Sequence, residues 1–130
     1  MTPLVTPLTW LLILTGVILN AAAQLLLKTA TRPLSAFTVF NGDTLVRSVT
    51  VLAFSAPFWV GMLCYAASVC VWIAALSKAP VSVAYPMLSL GYVVVAAVAA
   101  LRLGESLTLP KVLGIALICA GVLLVSRSTV

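Results

Sequence analysis

APVSVAYPMLSLGYVVVAAVAAL, residues 79–101, is bounded by Lys78 and Arg102 and carries no charge between them. Crossing about 30 Å of hydrocarbon takes roughly 20 apolar residues in a helix, because lipid offers no partner to an unpaired backbone group and a helix satisfies its own. Working outward, the seven basic and two acidic residues of the chain leave three more such runs, Met1–Leu27, Ser48–Ser77 and Val112–Ser126. The last is the shortest, and it spans from Leu109 if Lys111 bends its stem toward the headgroups. With 64% hydrophobic and 7% charged residues, a soluble bundle would have almost nothing with which to cover its surface. The pattern predicts an all-α membrane protein with four transmembrane helices, at about 8–27, 57–76, 81–101 and 109–125. They form a single domain over residues 1–130.

Four spans use nearly all of the 130 residues, which leaves no room for a soluble catalytic domain, and no enzymatic role is expected. The first helix is expected to stay in the chain: Met1–Pro7 has no basic residue and the apolar run is longer than a signal core. Cys64, Cys70 and Cys119 fall inside spans at no metal-ligand spacing, and histidine is absent. They are expected to be small buried apolar residues, with neither a metal site nor a cofactor. The net charge of +5 sits at helix ends rather than in one patch, so it points to membrane lipids and not to nucleic acid.

The connections set the topology. Residues 31–50 form the only long link, read as an interfacial loop: Pro33, Asn41, Gly42 and Asp43 form turns, while Phe37, Val39, Phe40, Leu45 and Val46 rest at the membrane surface. The other two links are short and force antiparallel neighbours, hence an up-down-up-down bundle. If the first and third links face the cytoplasm they carry Lys28, Arg32, Arg47, Arg102 and Lys111, against Lys78 and Arg127 opposite. That bias predicts both termini outside.

Polar residues inside the spans suggest the chemistry. Gly16, Asn20, Gln24 and Lys28 recur every four residues, hence on one face of the first helix. Amides there need partners, on a neighbouring helix or in a wet cavity. Lys28 at the end of this stripe is either a fixed cation for a phosphate or an anchor at the membrane boundary. The second span offers Tyr65, Ser68 and Trp72, and the third Tyr85, Ser89 and Tyr92. Pro86 and Gly91 make the third span a hinge, since proline removes one backbone hydrogen bond and glycine lets the chain flex. In LGIALICAGVLLV the small residues Gly114, Ala120 and Gly121 have no polar companions and suit close packing or dimerisation. Proton-coupled export of cations needs an acid within the membrane. Only Asp43 and Glu105 are acidic, and both fall in links. Glu105 is expected to cap the last helix or to pair with Arg102 or Lys111.

VSVAYPMLSLGYVVVAAVAALRLGESLTLPKVLGIALICAGVLLV resembles the second half of the small multidrug resistance proteins, within the drug/metabolite transporter superfamily, and CYAASVCVWIAALSKAP resembles their second helix. AAQLLLK together with VAYPMLSLGYV is most similar, within that superfamily, to the small subunits of the flippase for undecaprenyl-phosphate-linked aminoarabinose, a lipid-sugar used to modify lipid A. The resemblance implies a four-helix protomer working as a dimer, with a pathway between the first three helices of both protomers and the fourth at the dimer contact. Asn20 stands where the drug exporters keep an essential glutamate, which agrees with the carboxylate argument.

The reading is a flippase subunit moving a polyprenyl-phosphate-linked sugar across the bacterial inner membrane, as a homodimer or as a heterodimer with a related small subunit. Lys28 with Arg32 would hold the phosphate. Asn20, Gln24, Tyr65, Ser68, Tyr85 and Ser89 would hydrogen-bond the sugar, beside the rings of Trp72 and Tyr92. A cation exporter of the same fold and a non-transporting accessory subunit of a glycosyltransferase are the alternatives.

Overall fold

The computed structural model describes residues 6–36 and 42–127; Phe37, Val39, Phe40 and Asn41 of the first link lie outside them. Helix α1 runs Pro7–Thr31. The hydroxyl oxygen of Thr6 accepts the Thr9 N–H at 3.4 Å, and Pro7, which has no N–H to leave unpaired, fills the first turn. Lys28 does not end the helix, which continues past the expected boundary at residue 27. A lysine marks where lipid stops, but helical backbone persists until Pro33, which has no N–H with which to continue the ladder. Arg32 before it is still right-handed, at φ −52° and ψ −45°, and its N–H bonds the Thr29 carbonyl. A short 3-10 segment, Arg32–Ala36, follows.

Residues 31–50 are not simply a loop. They contain most of α2, Gly42–Ala53, with Asp43 in its first turn, where a carboxylate meets the positive end of the helix dipole. Leu45, Val46 and Val49 share one face and are exposed, whereas Asp43 and Arg47 lie on the other. The turn residues Gly42 and Asp43 start this helix instead of reversing the chain.

Helix α3, Ala56–Leu76, forms the second span. The third is split into α4, Val81–Leu88, and α5, Leu90–Arg102. The fourth is α6, Leu109–Arg127. All four are long and apolar enough to cross a membrane. The split falls at Ser89, whose N–H reaches back three residues to the Pro86 carbonyl at 3.1 Å while the Tyr92 N–H bonds Ser89 itself at 3.0 Å. Such three-residue bonding tightens one turn where proline has removed a donor.

α1 and α3 pack most closely because two glycines let them, Gly16 on α1 against Val71 and Trp72, and Gly61 on α3 against Leu26 and Leu27. A Cβ on Gly61 would stand 3.2 Å from Leu26 Cβ and Leu27 Cγ and 3.3 Å from the Ala23 carbonyl oxygen. Small residues bring membrane helices together in this way where no hydrophobic driving force exists. The buried core, Ile13, Val17, Ala75, Ala79, Met87 and Val122, lies toward the end of the bundle remote from Lys28. α6 rests on α4 and α5 and buries one residue, Val122, so most of its surface is open to lipid or to another helix. The three cysteines are not buried within the protomer: Cys64 and Cys119 are half-buried and Cys70 is exposed, as apolar side chains on lipid-facing helices can be.

Candidate functional site

Asn20, Gln24 and Lys28 lie along α1 on the face turned toward two cavities. The first, about 340 Å³, lies between α1, α3 and α4 and is lined by Asn20, Gln24, Tyr65, Ser68, Trp72 and Tyr85. Trp72 and Tyr85 meet edge to face, with ring centroids 6.0 Å apart at 79°, a geometry that places the positive edge of one ring on the negative face of the other. Gly16 makes room for the indole: a Cβ there would touch Trp72 Cε3 at 3.4 Å. Neither amide has a hydrogen-bond partner among the described residues, and the same holds for the hydroxyls of Tyr65, Tyr85 and Tyr92. Amides serving to fasten helices together would be paired across them; these face the cavities instead.

The second cavity, about 610 Å³, lies between α1, α5 and α6. Its walls are mainly apolar, with Val95, Ala96, Ala99, Ile115 and Ile118, and its mouth carries Lys28, Glu105 and Lys111. Lys28 Nζ stands 3.7 Å from one carboxylate oxygen of Glu105, and Lys111 Nζ stands 3.7 Å from the other. Gly104, at φ +69°, turns the chain after α5 in a conformation that favours glycine. The Glu105 N–H then donates back to the Ala99 carbonyl at 3.1 Å, which aims the carboxylate over the cavity. Gln24 lines both cavities, and a pocket of about 60 Å³ holding Asn20, Gln24 and Tyr92 sits between them. The stripe on α1 therefore joins a polar, aromatic chamber to an apolar trough with cations at its mouth.

The EamA-like transporter family model matches residues 3–127. This chain belongs to the EamA-like transporter family. Its similarity to curated members runs along most of its length. It is 38% identical over 115 residues, 85% of this chain and 84% of the relative, to a probable 4-amino-4-deoxy-L-arabinose-phosphoundecaprenol flippase subunit ArnF of Sodalis glossinidius. It is 39% identical over 112 residues, 85% and 87% of the two chains, to the protein of the same name from Erwinia tasmaniensis. With the corresponding probable subunit ArnE of Klebsiella pneumoniae it shares 34% over 121 residues, 92% and 96% of the two chains. No solved structure matches it.

In this EamA-like chain, Lys28, Asn20, Gln24, Tyr65, Ser68, Trp72, Tyr85 and Tyr92 thus come to one connected pair of cavities. Arg32 and Ser89 do not. Arg32 lies in the exposed 3-10 segment beyond α1 and lines neither cavity. Ser89 donates its hydroxyl to the Pro86 carbonyl, so it belongs to the break in the third span. Gly91 opposes α1, where a Cβ would meet Val17 Cγ1 at 3.5 Å. Gly114 lines the trough, while Ala120 and Gly121 are exposed on the rest of α6. Glu105 pairs with Lys111 as the sequence suggested, but its other partner is Lys28 and not Arg102. Sequence reading left Glu105 and Lys111 outside the site. The signal was the glycine before Glu105 in LGES, which turns the acid back toward the bundle.

Proposed function

We propose that this chain is a flippase subunit that carries a polyprenyl-phosphate-linked aminosugar across the bacterial inner membrane. One observation supports it above others: α1 presents Asn20, Gln24 and Lys28 to a polar, aromatic chamber and an apolar, cation-headed trough that share Gln24. A lipid-linked sugar has those two halves. Its head needs hydrogen-bonding groups that need not find each other first, and its tail needs apolar walls. Lys28 serves as the cation for the phosphate. The unpaired amides of Asn20 and Gln24, with Tyr65 and Tyr85, meet the sugar hydroxyls, and the rings of Trp72 and Tyr85 offer their faces to a protonated amine. Pro86 and Ser89 give the third span the joint through which the chamber opens alternately. No covalent chemistry is needed. The open surface of α6, with Ala120 and Gly121, is the contact for a second small subunit, identical or related.

The experiment is flipping of undecaprenyl-phosphate-linked aminoarabinose in reconstituted vesicles, with wild-type protein and Lys28→Ala, alone and with a co-expressed related subunit. A charge-assisted contact contributes about 1.5–3 kcal/mol, so the alanine variant should bind the lipid roughly 10- to 100-fold more weakly while still inserting. Lys28→Arg should retain part of the activity. Unchanged affinity in Lys28→Ala would reduce Lys28 to a boundary anchor, and proton-linked uptake of quaternary ammonium compounds by the wild type would restore the exporter reading.

A further inference from the structure

We infer that Glu105 is an internal occupant of a two-lysine phosphate site, and that the substrate enters by taking the place of its carboxylate between Lys28 and Lys111. This deepens the flippase reading and rests on it. Lys28 closes the last turn of α1, and Lys111 stands in the first turn of α6, which contains no acidic residue. A cation in a first turn faces the positive end of its own helix dipole, an arrangement that an anion above it relieves. Glu105 supplies that anion, but loosely. Both contacts are 3.7 Å long, beyond the 2.7–2.9 Å typical of charge-assisted hydrogen bonds. The side chains of Lys28, Glu105 and Lys111 are 60%, 40% and 43% exposed, so water and salt weaken the pairing further.

Exchange also conserves charge. Two lysines and one carboxylate carry a net single positive charge, and a phosphodiester bearing one negative charge leaves that total unchanged when it replaces the carboxylate. The trough below then selects among phosphates. Ala96, Ala99, Ile115 and Ile118 give it apolar walls, and a Cβ on Gly114 would meet nothing within 4 Å, so the space beside α6 is open to an isoprenoid chain. Together these features fit a phosphate that carries its own apolar tail. Glu105 holds the lysines apart from bulk anions until such a lipid arrives and re-forms the pairing when it leaves.

Equilibrium binding of undecaprenyl-phosphate-linked aminoarabinose to the protein in phosphatidylcholine nanodiscs tests this. Glu105→Gln, nearly isosteric, should bind about three- to fivefold tighter, the effect expected from removing a weak exposed ion pair. Lys111→Gln should bind about 10-fold or more weakly, and the effects of Glu105→Gln and Lys111→Gln should not add when combined, because the two act on one site. Gly114→Leu, which fills the trough, should weaken lipid-sugar binding, and neither inorganic phosphate nor phosphatidylglycerol should compete at equal concentration. Equal or weaker binding by Glu105→Gln, or unchanged binding by Lys111→Gln, would overturn the exchange. Competition by either control anion would overturn the choice of occupant. Should the wild type neither bind nor flip the lipid-sugar, the flippase reading fails. Should it do both while Glu105→Gln and Lys111→Gln behave as wild type, only the exchange fails.

Discussion

Asn20 puts an amide, and no acid, in the middle of the polar face of α1. Its amide sits at the junction of the cavities without a hydrogen-bond partner among the described residues. An amide neither gains nor loses a charge in the accessible range, so binding and flipping should show no pH transition that depends on this position. Asn20→Ala should weaken sugar recognition by several-fold, the loss of one net hydrogen bond of about 1 kcal/mol. Asn20→Glu should slow flipping by placing a negative charge on the path of the lipid's phosphate and by holding its protonated amine, and should create pH-dependent affinity for hydrophobic cations, because aromatic faces already stand beside it. Binding titrations of both variants from about pH 5 to 9 would check this; a pH-independent Asn20→Glu profile would show that the position does not meet the ligand. That Asn20, Gln24 and Lys28 share a face was legible from their four-residue spacing. That the amides are unpaired was not, because pairing depends on which helix lies opposite and how closely.

At the scale of elements, the seam between α1 and α3 and the break between α4 and α5 do different work. The seam is rigid. Gly61→Val would drive a branched side chain into the Ala23 carbonyl, which is backbone and cannot swing aside, so the protein should lose about 1–3 kcal/mol in a detergent unfolding titration. Gly121→Ala, with nothing within 4 Å of its Cβ, should be close to neutral in the isolated protomer. The break is where motion is expected. Pro86→Ala restores a backbone donor in the turn that now pivots at Ser89, and should slow flipping several-fold while leaving equilibrium binding near wild type. A parallel loss of both would mean that the proline shapes the chamber rather than the movement. The sequence pointed to this bend through Pro86 and Gly91, but the tightened turn falls on Ser89 between them, since its N–H and hydroxyl both turn to the Pro86 carbonyl.

For the whole molecule, the two Glu105 ion pairs join the first and third links at one end of the bundle, and with them most of the basic residues. The positive-inside bias then predicts that this end is cytoplasmic. With Cys64, Cys70 and Cys119 replaced, a cysteine reporter at Asp43 should label only from the cytoplasmic side and one at Arg127 only from outside. Equal labelling of both from both faces would mean dual insertion. What the sequence determined by itself is everything that follows from a one-dimensional pattern: four spans from the spacing of charge, antiparallel order from short links, and a polar face on α1 from a four-residue repeat, since each depends only on distance along the chain and the thickness of a bilayer. What only the tertiary structure decided depends on contacts between distant segments. It gave Lys28 a partner in Glu105, drew Lys111 to the same mouth, moved Gly114 from a presumed helix contact to the wall of a cavity, and left Arg32 outside. Those outcomes turn on how closely glycines let helices approach and on the direction Gly104 gives the chain.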